Sequence, residues 1–257
     1  MQGRVVGMVA CLLLLMPRPA PADDLVHLTA RPPVSPATVA VRLGPLRLGD
    51  GVVYAPKSYQ PGQPLPLLVM LHGASQRGAD MVLRLAQVAE ARGVLIAAPD
   101  SGDYTWDMLA ARKRETDERW GPRYGNDPAR IDAFLALVFV RYAVDPARVA
   151  LAGFSDGATY ALSLGPENLG LFHTLIAFSP GRIAPPHGRA DTGDGQARVF
   201  ISHGKADRVL PLEETARTTV PALRRRDFQV EFLVFDGGHA MPPEVVDGAF
   251  DWWLGRS

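Results

Sequence analysis

Thiols are almost absent from this chain. Its one cysteine, Cys11, lies inside the first apolar run, so a mature protein without that run has neither disulfides nor a cysteine nucleophile. An excess of charge of either sign is also lacking. The 27 basic and 27 acidic residues cancel, which argues against nucleic acid or an anionic membrane surface as the main partner. No apolar run reaches the ~20 residues that a spanning helix needs, so no stable membrane span is expected. Metal-ligand spacings, phosphate loops and dinucleotide fingerprints are missing as well, and no cofactor or metal is expected.

What is present begins with a targeting segment. Arg4 supplies positive charge, residues 5–16 form a short apolar core, and Ala20-Pro21-Ala22 offers a small-x-small cleavage site before Asp23-Asp24. The expected organisation is a signal peptide over 1–22, a flexible leader over 23–38 rich in proline and alanine, and one catalytic domain over 39–257. Such a chain is exported, to the periplasm or the medium. Met8-Val9-Ala10-Cys11 resembles a lipoprotein box only faintly, because Leu12 to Leu15 carry the apolar run past the cysteine; export without a lipid anchor is the expectation. A domain of this size buries roughly 70–75% of its unfolded surface and needs no staple.

Along the domain, strand and helix patterns alternate. Residues 39–41 and 51–56 read as early strands, and 65–71 is a continuous apolar run suited to a strand covered on both faces. Further strands are expected over 94–98, 148–152, 175–178, 199–202 and 230–235. Helices are expected over 81–92, with Gly93 as its stop, and over 131–142, 158–164, 211–226 and 243–254. This order predicts an α/β fold: a mostly parallel central sheet with helices on both faces, no large cap domain, and chemistry at the carboxyl ends of the strands.

Between the strand at 148–152 and the helix at 158–164 stands Gly153-Phe154-Ser155-Asp156-Gly157. Gly-x-Ser-x-Gly at a strand-to-helix turn is the pattern of a nucleophile elbow: a strained turn holds the serine hydroxyl out at the sheet edge, and the glycines leave room for nearby backbone. A serine hydroxyl needs a base, and the base needs an acid to fix its tautomer. His239 follows Gly237-Gly238 at the end of the last strand. Asp207 follows His203-Gly204-Lys205-Ala206 at the end of the strand before it. Ser155, Asp207 and His239 are therefore the expected nucleophile, acid and base, with Asp194 and Asp236 as rival acids. His72 and His203 are expected to shape their loops. Backbone N–H groups of Ala74, after Leu71-His72-Gly73, and of Asp156 are the candidates for an oxyanion hole. Tyr104, Trp106, Trp120 and Tyr124 surround a charged run at 112–119; that run is a solvated helix or a rim over the site, with Trp106 and Trp120 as candidate substrate walls.

Leu71-His72-Gly73, Gly153-Phe154-Ser155-Asp156-Gly157, His203-Gly204-Lys205-Ala206-Asp207 and Gly237-Gly238-His239 together resemble the α/β-hydrolase superfamily. The likeness is to the phospholipase/carboxylesterase group and to secreted feruloyl-esterase and polyhydroxyalkanoate-depolymerase-like esterases. Val144-Asp145-Pro146-Ala147-Arg148-Val149 is similar to the latter, and the likeness runs from about Val52 to Trp253. It implies the α/β-hydrolase fold, a catalytic triad and hydrolysis of carboxylic esters, small or polymer-linked. Two departures stand out: Asp156 occupies a position where glutamine is frequent, and Ser75-Gln76-Arg77-Gly78-Ala79-Asp80 matches only loosely. A secreted serine peptidase or amidase on the same fold, and a catalytically silent binding protein, are the alternatives.

Overall fold

The computed structural model describes residues 26–35, 37–38, 40–112, 123–183 and 197–256. Eight strands form a single sheet in the order β1-β2-β4-β3-β5-β6-β7-β8. Strands β1 (Gly44–Leu48) and β2 (Gly51–Ala55) are antiparallel to their neighbours. The other six run parallel: β3 (Leu65–Leu71), β4 (Leu95–Pro99), β5 (Val144–Phe154), β6 (Thr174–Phe178), β7 (Arg198–Gly204) and β8 (Gln229–Phe235).

The sheet is buried on both faces, which explains why its central strands read as unbroken apolar runs. In β3, Leu67, Val69 and Leu71 face one core while Leu68 and Met70 face the other. The first core is covered by α3 (Asp127–Arg141), α4 (Asp156–Leu164) and α6 (Val220–Arg224), and the second by α1 (Gly78–Arg92) and α7 (Pro243–Leu254). The short α2 (Asp107–Arg112) adds Met108 and Leu109 to the first core. This is the expected α/β-hydrolase architecture, with no large cap among the described residues.

Several boundaries differ from the sequence reading for physical reasons. No strand forms at 40–41; the first is Gly44–Leu48, entered through Gly44 at φ 78°. Helix α1 starts at Gly78 rather than 81 because two carboxylates hold its first turn: distant Asp100 Oδ1 accepts the Gly78 N–H at 2.7 Å, and within the helix Asp80 Oδ2 accepts that of Arg77 at 2.8 Å. The helical stretch expected over 211–226 is α5 (Leu212–Glu214), a π-turn over Thr215–Thr219, and α6. Part of the expected leader is firmly held. Asn168 and Asp132 accept the N–H groups of Leu28, Thr29 and Ala30 at 2.7–2.8 Å, and Leu28 is buried. Residues 1–25, with Cys11, lie outside the described residues.

Candidate active site

Ser155 sits between β5 and α4 with φ 56° and ψ −120°, a conformation an L-residue holds only under constraint. Close backbone packing supplies that constraint. A Cβ on Gly153 would lie 2.2 Å from the Gly157 carbonyl, and one on Gly157 would lie 2.3 Å from the Leu71 carbonyl oxygen. The flanking glycines thus let strand, turn and helix approach closer than any side chain allows. The Ser155 N–H donates to the Phe178 carbonyl at 2.9 Å, which ties the turn to β6.

The structure brings Ser155, His239 and Asp207 into one hydrogen-bonded chain. His239 Nε2 lies 2.8 Å from Ser155 Oγ, and His239 Nδ1 lies 2.7 Å from Asp207 Oδ2. A carboxylate facing Nδ1 leaves the proton there, so Nε2 is free to accept the serine proton. The imidazole packs on the Phe154 ring, centroids 4.9 Å apart, so the variable residue of the elbow motif also seats His239. The other Asp207 oxygen accepts the N–H groups of Val209 and Leu210, both at 2.9 Å. Burial alone would raise the Asp207 pKa, but those N–H groups and His239 outweigh it and hold the carboxyl below its ordinary value.

The loops carrying Asp207 and His239 are built as one unit. The N–H of Lys205 donates to Phe235 and that of Ala206 to Gly237. A Cβ on Gly204 would lie 2.3 Å from the Gly238 carbonyl oxygen, so His203-Gly204 is the gap that admits the His239 loop. Asp236, a rival acid, instead points to solvent and pairs with Lys205 at 2.7 Å. Asp194 lies outside the described residues.

The loop after β3 lies against the elbow; a Cβ on Gly73 would be 3.3 Å from Ser155 Cβ. Two of its N–H groups are already engaged, Gly73 with Gln76 Oε1 at 3.1 Å and Ser75 with the Tyr104 carbonyl at 2.9 Å. Among the described residues the Ala74 N–H has no acceptor, and the Asp156 N–H is one of the unpaired donors opening α4. Both remain available to a negative oxygen. His72 braces this loop from below. Its Nδ1–H donates to the Gly73 carbonyl at 2.8 Å, and Nε2 accepts the Ser101 N–H at 3.0 Å. Burial is the main cause that lowers its pKa, which keeps the ring neutral.

Asp156 does not turn towards His239. Its Oδ2 accepts the hydroxyl of buried Thr105 at 2.6 Å. The Thr105 segment is in turn fixed to α3, because Asp107 and Asp127 each accept the other's backbone N–H at 2.7–2.9 Å. Trp106 corrects the expectation of a substrate wall. It is fully buried, donates Nε1–H to the His72 carbonyl at 2.8 Å, and packs between His72 and Tyr160. Its ring props the loop after β3 and presents no exposed wall. Trp120 lies outside the described residues. The sequence reading missed Gln76, Thr105 and Phe154. Only Phe154 carried a local signal, its place within the elbow motif.

Residues 50–242 match the Esterase family model, and the chain belongs to that family. It is a carboxylic ester hydrolase of the α/β-hydrolase fold. Among solved structures it is similar to esterase PE8, at 23% identity and TM-score 0.59, over 84% of this chain and all of that one. It is also similar to an S-formylglutathione hydrolase from Agrobacterium tumefaciens, at 21% identity and TM-score 0.59, over 80% of this chain and 88% of the other. A phospholipase/carboxylesterase from Dyadobacter fermentans shares 23% identity at TM-score 0.54, over 75% and 91% of the two chains. No curated protein matches the chain.

Proposed function

We propose that this esterase works through an acyl-enzyme on Ser155. The observation that carries the reading is the unbroken hydrogen-bond chain Ser155 Oγ–His239–Asp207 at 2.8 and 2.7 Å. As Oγ attacks the ester carbonyl, His239 Nε2 takes its proton, and Asp207 stabilises the imidazolium. The carbonyl oxygen becomes negative and is received by the N–H groups of Ala74 and Asp156, where each donor is worth about 10²–10³ in rate. Collapse expels the alcohol, which takes the proton from Nε2. Water then repeats the cycle on the acyl-enzyme and frees the acid and Ser155.

Tyr104 and Val209, both more than half exposed, project from segments bonded to the oxyanion loop and to Asp207. They favour an ester with an apolar part, small or polymer-linked. The targeting pattern over residues 1–22 supports action outside the cytoplasm. Ser155→Ala should lower turnover of a chromogenic acetyl ester by roughly 10⁶, and undiminished activity in that variant would overturn the reading. A parallel panel of aryl esters and aminoacyl amides decides between esterase and amidase use.

A further inference from the structure

His203 is buried without any exposed atom, yet it is not part of the hydrogen-bonded chain from Ser155 to Asp207. Its Nε2 lies 2.8 Å from the Leu210 carbonyl oxygen and 3.2 Å from Asp207 Oδ2, the same oxygen that faces His239. With a carbonyl and a carboxylate both facing that nitrogen, the tautomer that fits carries its proton on Nε2. Nδ1 is then a bare acceptor, and it has no partner among the described residues.

The bond to Leu210 closes a ring of contacts around the acid. Asp207 Oδ1 accepts the Leu210 N–H, and His203 takes the Leu210 carbonyl, so both ends of that residue are fixed. The turn from 207 to 210 cannot swing without breaking one of them. The positive end of the Nε2–H dipole also lies against Oδ2 and opposes rotation of the carboxylate away from His239.

We infer that His203 is a positioning residue for the triad: it acts through the Leu210 carbonyl and Asp207 to fix the carboxylate that orients His239. This rests on the catalytic reading given above. A glutamine at 203 can place an amide N–H near the Nε2 position, whereas leucine fills much of the space and donates nothing. Misplacement of a catalytic group by about 1 Å costs on the order of 10² in rate.

The test compares full-length wild type, His203→Leu and His203→Gln on a chromogenic acetyl ester, with reactive sites counted by a fluorophosphonate burst. A wild type without esterase activity would contradict the catalytic reading itself. Given an active wild type, His203→Leu should lose about 10–10²-fold in kcat per reactive site with KM changed less than about threefold. His203→Gln should recover most of that loss. Equal kcat per reactive site in wild type and His203→Leu would overturn the inference, as would a loss that glutamine does not repair. Should the leucine variant not fold, ¹⁵N NMR of histidine-labelled wild type decides: the inference requires His203 as the Nε2–H tautomer, and an Nδ1–H tautomer would refute it.

Discussion

Asp156 stands next to Ser155, the proposed nucleophile, yet its carboxylate is engaged by Thr105. Its charge nonetheless remains close to where an acyl group must sit. A unit charge roughly 7 Å away at an effective dielectric of roughly 40 feels about 1 kcal/mol. Asp156→Asn should therefore raise kcat/KM for an anionic hemisuccinate ester about 5–10-fold relative to the matching neutral ester. An unchanged ratio would remove charge from the account of specificity. His72 gives a second consequence at this scale. Its folded pKa lies below the ordinary 6.5, so the folded state binds fewer protons than the unfolded chain. Its contribution to stability is complete above pH 6.5 and declines as pH falls through the lowered folded value. His72→Gln should flatten the fall of Tm below pH 6.5, and a slope identical to wild type would contradict this. Asp207 follows the same sign in a lower window: its depressed pKa keeps this carboxylate ionised below the ordinary 3.8.

At the scale of elements, the site depends on where backbones can touch. The elbow requires glycine at 153 and 157 because β5, the turn and the end of β3 meet at distances that exclude a Cβ. Gly157→Ala should abolish soluble expression or activity, as its methyl meets backbone that no rotamer change can move; a well-folded, fully active variant would show the packing to be looser. The segment over 26–30 is held in a different way, by one side chain: the Asp132 carboxylate takes the N–H groups of Thr29 and Ala30 and the Thr29 hydroxyl. Asp132→Ala should cost about 1–3 kcal/mol of stability, read as a lower urea midpoint, with kcat unchanged. These elements also show what a sequence discloses. Gly153-Phe154-Ser155-Asp156-Gly157 is legible because the strain is local and only certain residues tolerate it. The start of α1 at Gly78 was not legible, because beside the local bond from Asp80 it takes Asp100, a strand away, to hold its first turn. Thr105 was silent for the same reason, because its partner Asp156 is set by tertiary packing; Gln76, whose Oε1 accepts the Gly73 N–H three residues back, sits in a loop whose shape no periodic pattern reports. Trp106 misled, since composition says that an aromatic is present but not which way it faces.

For the whole molecule, the six parallel strands deliver their carboxyl ends to one edge, and the site is assembled there from loops after β3, β5, β7 and β8. Apolar runs for both sheet faces, together with a serine, an acid and a histidine at strand ends, make that arrangement readable from the sequence. Contacts between the loops were not readable, and they are what give the constellation its geometry. The central claim is that this assembly makes Ser155 the reactive nucleophile. Fluorophosphonate labelling of the active protein, followed by mass-spectrometric mapping, tests it most directly. The account predicts a single adduct on Ser155 that forms in step with loss of esterase activity. An adduct on another serine, or esterase activity that survives complete labelling of Ser155, would contradict it.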